Sequence, residues 1–295
     1  MPDTDPISDT PSGKKGPPPR KLKNIGVRLI TGLLIGVFAF VPLLFGGPIW
    51  LGLVGLFALR AIWEWVRMSE TDSTSLAYII PMVGAMAVLL CAYLTVLSHN
   101  PVLYKAAFFI ALTIAAIAGF ERMRRNGAIW ASLGFLYIII PAALLVILRG
   151  NESGASAQGF KNLIYIILIV VAADVGAYIG GSFIGGPKMA PKLSPNKTWA
   201  GFFSGLLAAC IIGAFVAGYF NAPIISGAIF AIPIMVFSVL GDILESGFKR
   251  KLEIKDTGGL LPGHGGVLDR VDSLMMAVVF AALILILIPE FWPLT

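Results

Sequence analysis

Acidic side chains are scarce in this chain, 16 in 295 residues, so their spacing is informative. Asp242, Glu245 and Lys249 follow one another at intervals of three and four residues, which on a helix sets them along one face. Asp269 and Asp272 stand three apart at the start of an apolar run, where a helix N-terminus would favour carboxylates. Two such helix ends can bring Asp242 and Asp269 together across the loop between them. Hard oxygen ligands, in a chain with two histidines and two cysteines, suit Mg²⁺, which keeps waters and bridges to substrate phosphates. Gly258, Gly259, Gly263, Gly265 and Gly266 would let backbone amides approach an anion. Lys249, Arg250, Lys255 and Arg270 add the cations a polyphosphate needs. The competing account is a structural clip of paired acids and bases at a membrane surface. His264 either donates to a phosphate or simply closes a turn.

A second polar stretch, DVGAYIGGSFIGGPKMAPKLSPNKTWAG, runs from Asp174 to Gly201. Asp174 interrupts an apolar run, where a carboxylate faces a cavity or bonds a neighbouring helix. Gly176, Gly180, Gly181, Gly185 and Gly186 either serve the site or permit close helix packing. Ser194, Asn196, Lys197 and Thr198 place hydroxyl, amide and ammonium groups where the next helix begins, a suitable setting for a phosphate. A merely solvated basic flank is the alternative.

The elements that must position these residues are membrane helices. The chain is 57% hydrophobic and 13% charged, far from a soluble composition. Apolar runs of about 20 residues span a bilayer, and the sequence predicts an all-α polytopic protein of about nine transmembrane helices. These are Val27–Phe45, Pro48–Val66, Leu76–Leu97, Tyr104–Phe120, Ala128–Leu148, Leu163–Phe183, Ala200–Phe220, Pro223–Leu244 and Ser273–Ile288. The organisation expected is a disordered cytoplasmic tail over 1–24, an N-terminal region of five helices over 25–150, and a catalytic region of four helices over 151–295 with cytoplasmic loops 184–199 and 245–272. Nearly all Lys and Arg fall in alternate loops, and only Lys105, Arg149 and Lys161 lie on the other side. The positive-inside rule then puts the N-terminus in the cytoplasm and the C-terminus outside. The net charge of +6 follows from that topology and requires no nucleic acid. Cys91 and Cys210 sit in apolar runs and read as packing residues.

SGFKR at 246–250, KD at 255–256 and PGHGGVLDRVD at 262–272, with SPNKTW at 194–199, together resemble the signature of the phosphatidate cytidylyltransferase (CDP-diglyceride synthetase) family. The resemblance covers the C-terminal half closely and the first five spans only in general character. It implies that CTP and phosphatidic acid give CDP-diacylglycerol and pyrophosphate, with Mg²⁺ and with a second, monovalent cation left open. It implies metal binding by Asp242 and Asp269, with Asp256 and Asp272 as further candidates. Lys249, Arg250 and Arg270 are implied in catalysis beside Asp242 and Asp269. Substrate contacts are implied for Ser194, Asn196, Lys197, Thr198, Lys255, His264, Gly265, Gly266 and Asp174. Partners expected are the two substrates and membrane lipids; the sequence permits a homodimer without arguing for one. The expected location is the bacterial cytoplasmic (inner) membrane, with the site facing the cytoplasm. One departure is Ala200, where many family members carry an acid. Two rivals remain: a lipid or ion transporter using Asp174, and a phosphotransferase that consumes CDP-lipid. The latter class spaces its late aspartates by four, against three for Asp269 and Asp272 here.

Overall fold

The computed structural model describes residues 36–69, 74–122, 128–191, 193–252, 254, 257–258 and 266–294. Lys255, Asp256, His264 and Gly265 lie outside the described residues, as does the tail over 1–24. The chain forms α1 (Gly36–Phe45), α2 (Gly47–Ser69), α3 (Ser75–Ser98), α4 (Pro101–Arg122), α5 (Ala128–Arg149) and α6 (Gln158–Phe183). A two-stranded sheet follows, β1 (Lys188–Ala190) and β2 (Ser194–Thr198), then α7 (Trp199–Tyr219), α8 (Ile224–Lys251) and α9 (Leu268–Leu287).

Eight helices, α2 to α9, are long and apolar enough to cross a membrane, so the protein is an all-α polytopic membrane protein. They coincide with eight of the nine expected spans. Of the first, Val27–Phe45, only α1 falls within the described residues. Two expectations about loops need correction. The loop predicted over 245–272 is helical at both ends, because α8 runs on to Lys251 and α9 starts at Leu268. Polarity marks where a membrane ends, whereas the backbone hydrogen-bond ladder continues until something interrupts it. The loop over 184–199 contains the antiparallel β1–β2 pair, registered Lys188 with Thr198 and Ala190 with Ser194. Gly185 and Gly186 lead into it at φ +67° and +93°, a left-handed bend that ends α6 at little cost.

Packing inside the membrane relies on small residues. On α7, Gly201, Gly205, Ala209 and Gly213 are buried, while Phe203, Leu207, Ile211, Phe215 and Tyr219 are exposed. The two sets repeat every four residues and so form opposite faces, one for protein and one for lipid. A Cβ at Gly205 would lie 2.7 Å from Ala173 O, and one at Gly176 2.7 Å from Ala208 Cβ. Gly176 thus serves the close approach of α6 to α7. At the far end of the bundle, Arg149 is 1% exposed. It donates to Leu43 O at 2.5 Å, Leu44 O at 2.8 Å and Glu152 O at 2.7 Å. The guanidinium therefore satisfies the last carbonyls of α1, which no further helical turn can reach.

Candidate active site at the ends of α6 to α9

α8 and α9 carry the acidic residues and meet where the charge is concentrated. A Cβ at Gly241 would lie 2.5 Å from Asp272 O, so only glycine lets the two backbones come this close. The consequence is a group of three carboxylates, Asp242, Glu245 and Asp272, whose nearest oxygens all lie within 4.8 Å of one another. Glu245 is 1% exposed and Asp272 6%. Glu245 Oε1 has no hydrogen-bond partner, and neither does the hydroxyl of Ser238, two turns earlier on α8 and fully buried. Like charges held together with an orphaned oxygen are costly in a bare protein. Oxygen-only donors of this kind fit a divalent hard cation.

Asp269 occupies the other side of the cluster. Its Oδ1 pairs with Lys249 Nζ at 2.9 Å, and its Oδ2 accepts from Gly266 N at 2.8 Å and Thr257 N at 3.1 Å. Lys249 also pairs with Glu245 Oε2 at 2.5 Å, so this one ammonium links Asp269 to the three-carboxylate group. The structure groups Asp242 with Asp272, a further metal candidate in the sequence, and with Glu245, while Asp269 is linked to them through Lys249. The sequence assigns Glu245 no role in the site; its three-residue offset from Asp242 on one helix face is the signal that could have found it.

Beside the carboxylates lies a cavity of about 550 Å³, within the range that takes a small-molecule ligand. Asp174 from α6, Lys188 from β1, Asn196 and Lys197 from β2, and Asp242 from α8 line it. Lys197 Nζ pairs with Asp242 Oδ2 at 2.6 Å, which brings the hairpin to the metal-ready group. Thr198 also lines the cavity, and its hydroxyl caps α7 by accepting from Gly201 N at 3.1 Å. Ser194 is half-buried at the start of β2. Arg250 reaches back to Leu193 O at 3.5 Å, and Arg270 is exposed on the first turn of α9.

The N-terminal helices contribute more than the sequence suggested. Phe248, next to Lys249, inserts edge-on among Trp65, Trp130 and Tyr137, at ring separations of 5.5, 5.9 and 5.6 Å. Trp65 Nε1 donates to Trp130 O at 2.9 Å, fixing one wall of that box. Helices α2 and α5 thereby anchor the last turns of α8.

Residues 26–288 match the family described as Cytidylyltransferase family. The phosphatidate cytidylyltransferase of Pseudomonas aeruginosa is 35% identical over 276 residues, covering 87% of this chain and 96% of its own. That of Brucella suis is 33% identical over 263 residues, covering 87% and 91%. That of Staphylococcus haemolyticus is 32% identical over 286 residues, covering 88% and 98%.

Proposed function

This chain belongs to the cytidylyltransferase family, and on that premise we propose that it joins phosphatidic acid to CTP, giving CDP-diacylglycerol and pyrophosphate. The observation that carries the reading is the three-carboxylate group of Asp242, Glu245 and Asp272, whose Asp242 lines a cavity edged by Lys197 and Lys188. A phosphate oxygen of the lipid forms a bond to the α-phosphorus of CTP as the bond from that phosphorus to the oxygen it shares with the β-phosphorus breaks, and that oxygen leaves with pyrophosphate. The nucleophile is already an anion, so the site's task is positioning and charge neutralisation, without a strong general base. Asp242, Glu245 and Asp272 would hold Mg²⁺, which when bound neutralises triphosphate charge and eases departure of pyrophosphate.

The rest of the work falls to side chains already in place. Lys197, Lys188 and Asn196 supply charge and donors to the triphosphate from the hairpin. Lys249 is oriented by Asp269 and faces the same group. Arg250 and Arg270 add positive charge at the rim. Asp174 borders the cavity on the α6 side. Tyr178, also lining it, is 72% exposed on that helix, which marks a lateral route by which acyl chains enter from lipid. We place the site at the cytoplasmic face of a bacterial inner membrane. That placement is supported by Arg60, Arg67, Lys188, Lys197, Lys249, Arg250 and Lys251 gathering at the site's end, with Arg149 and Lys161 at the other.

The test supplies detergent-purified protein with phosphatidic acid, Mg²⁺ and α-labelled CTP and follows label into the lipid phase. Label should appear as CDP-diacylglycerol and should fall by about a hundredfold or more with Asp242→Asn or with EDTA. No labelled lipid from folded protein would reject the reading and send the work to a flux assay in vesicles.

A further inference from the structure

The first turn of α9 has no capping side chain of its own: Val267 stands at the N-cap position, where Ser, Thr, Asp or Asn would normally accept from the free amides. Two amides at this helix start are instead satisfied from another helix. Val267 N donates to Glu64 Oε1 at 3.0 Å and Leu268 N to Glu64 Oε2 at 2.9 Å, from a residue on α2 some 203 and 204 positions away. Glu64 is fully buried. Arg60, one turn earlier on α2, pairs with its Oε1 at 3.1 Å, and Thr257 Oγ1 approaches its Oε2 at 3.5 Å.

The glycines around the loop are fitted to this carboxylate. A Cβ at Gly258 would lie 2.8 Å from Glu64 Oε1, and one at Gly266 2.6 Å from Oε2. Two glycines that read in the sequence as room for a substrate anion thus also make room for the protein's own. The adjacent Trp65 forms part of the box around Phe248, so successive residues of α2 hold α9 and α8 respectively. Asp269 and Asp272 ride on the turn that Glu64 fixes, and Asp242 and Glu245 on the helix that Trp65 fixes.

We propose that Glu64, backed by Arg60, is a positioning residue for the transfer site: it holds the first turn of α9 from α2 and so sets where Asp269 and Asp272 sit relative to α8. The proposal rests on the functional reading above for its kinetic arm only. In the full-length protein, Glu64→Gln should lower kcat about tenfold or more, because a buried charge-assisted pair of hydrogen bonds is lost. KM for phosphatidic acid should stay within about twofold while the Mg²⁺ needed for half-maximal rate rises. Amide exchange at Val267 and Leu268 should quicken. If Glu64→Gln does not fold, Arg60→Gln, at a partly exposed side chain, should give the same signature at smaller size. Unchanged kcat in a folded Glu64→Gln protein, or lowered kcat with unchanged exchange at 267–268, overturns the proposal. So does an Arg60→Gln protein normal in both when Glu64→Gln is unfolded. Should the wild-type protein make no labelled lipid, the reading of the reaction fails separately, and the exchange comparison alone decides whether Glu64 holds α9.

Discussion

Arg149 and Glu245 are each 1% exposed and lie at opposite ends of the bundle, yet their surroundings differ in kind. Every arm of the Arg149 guanidinium meets a carbonyl, at Leu43, Leu44 and Glu152. Glu245 has one oxygen on Lys249 and the other on nothing, with Asp242 and Asp272 close by. A buried charge costs several kcal/mol unless it is matched. Arg149 is matched by the protein, so its burial is structural. Glu245 is left to be matched by something that arrives.

Substitution should separate the two by sign. Glu245→Gln removes a like charge from the carboxylate group while keeping its shape. Turnover should fall by about a hundredfold or more, while thermal stability in metal-free detergent should hold or rise. Loss of stability together with turnover would make Glu245 a structural residue of the same kind as Arg149. The reverse is expected of Arg149→Met, which strands the buried Leu43 carbonyl and removes the donors to Leu44 O and Glu152 O, and should cost about 3 kcal/mol. Its folded fraction should turn over at the wild-type rate, measured by denaturation and by activity normalised to folded protein. A kcat effect exceeding the loss of folded protein would mean that the far end of the bundle communicates with the site.

The same contrast explains what was legible in the sequence. The spans were, because about 20 apolar residues in a row have few other uses. Their ends were not, since Glu245 to Lys251 could as well have been loop, and strands of three and five residues such as β1 and β2 carry no usable period. Asp242 and Lys249 could be placed on one helix face from spacing alone. Which late aspartate joins Asp242 could not, because that depends on the crossing of α8 and α9 at Gly241. Glu64 escaped notice because its partners are more than 200 residues distant. The one local sign was negative: a helix start at Val267 with no cap of its own.

Thr198 lies between these extremes and gives the smallest expected effect. Its oxygen accepts from Gly201 N at 3.1 Å, as a cap does, while the residue also borders the cavity. A hydroxyl can accept and donate at once, so one oxygen can hold α7 while its hydrogen turns to a phosphate. Thr198→Ala should therefore cost about 1 kcal/mol of stability and also raise KM for CTP a few-fold, whereas Thr198→Ser, keeping the hydroxyl, should spare both. Stability lost with KM unchanged would leave Thr198 a cap alone, matched like Arg149. If KM rises in Thr198→Ala beyond what the stability loss explains, this residue sides with Glu245, because its spare hydrogen-bonding capacity is then spent on the ligand.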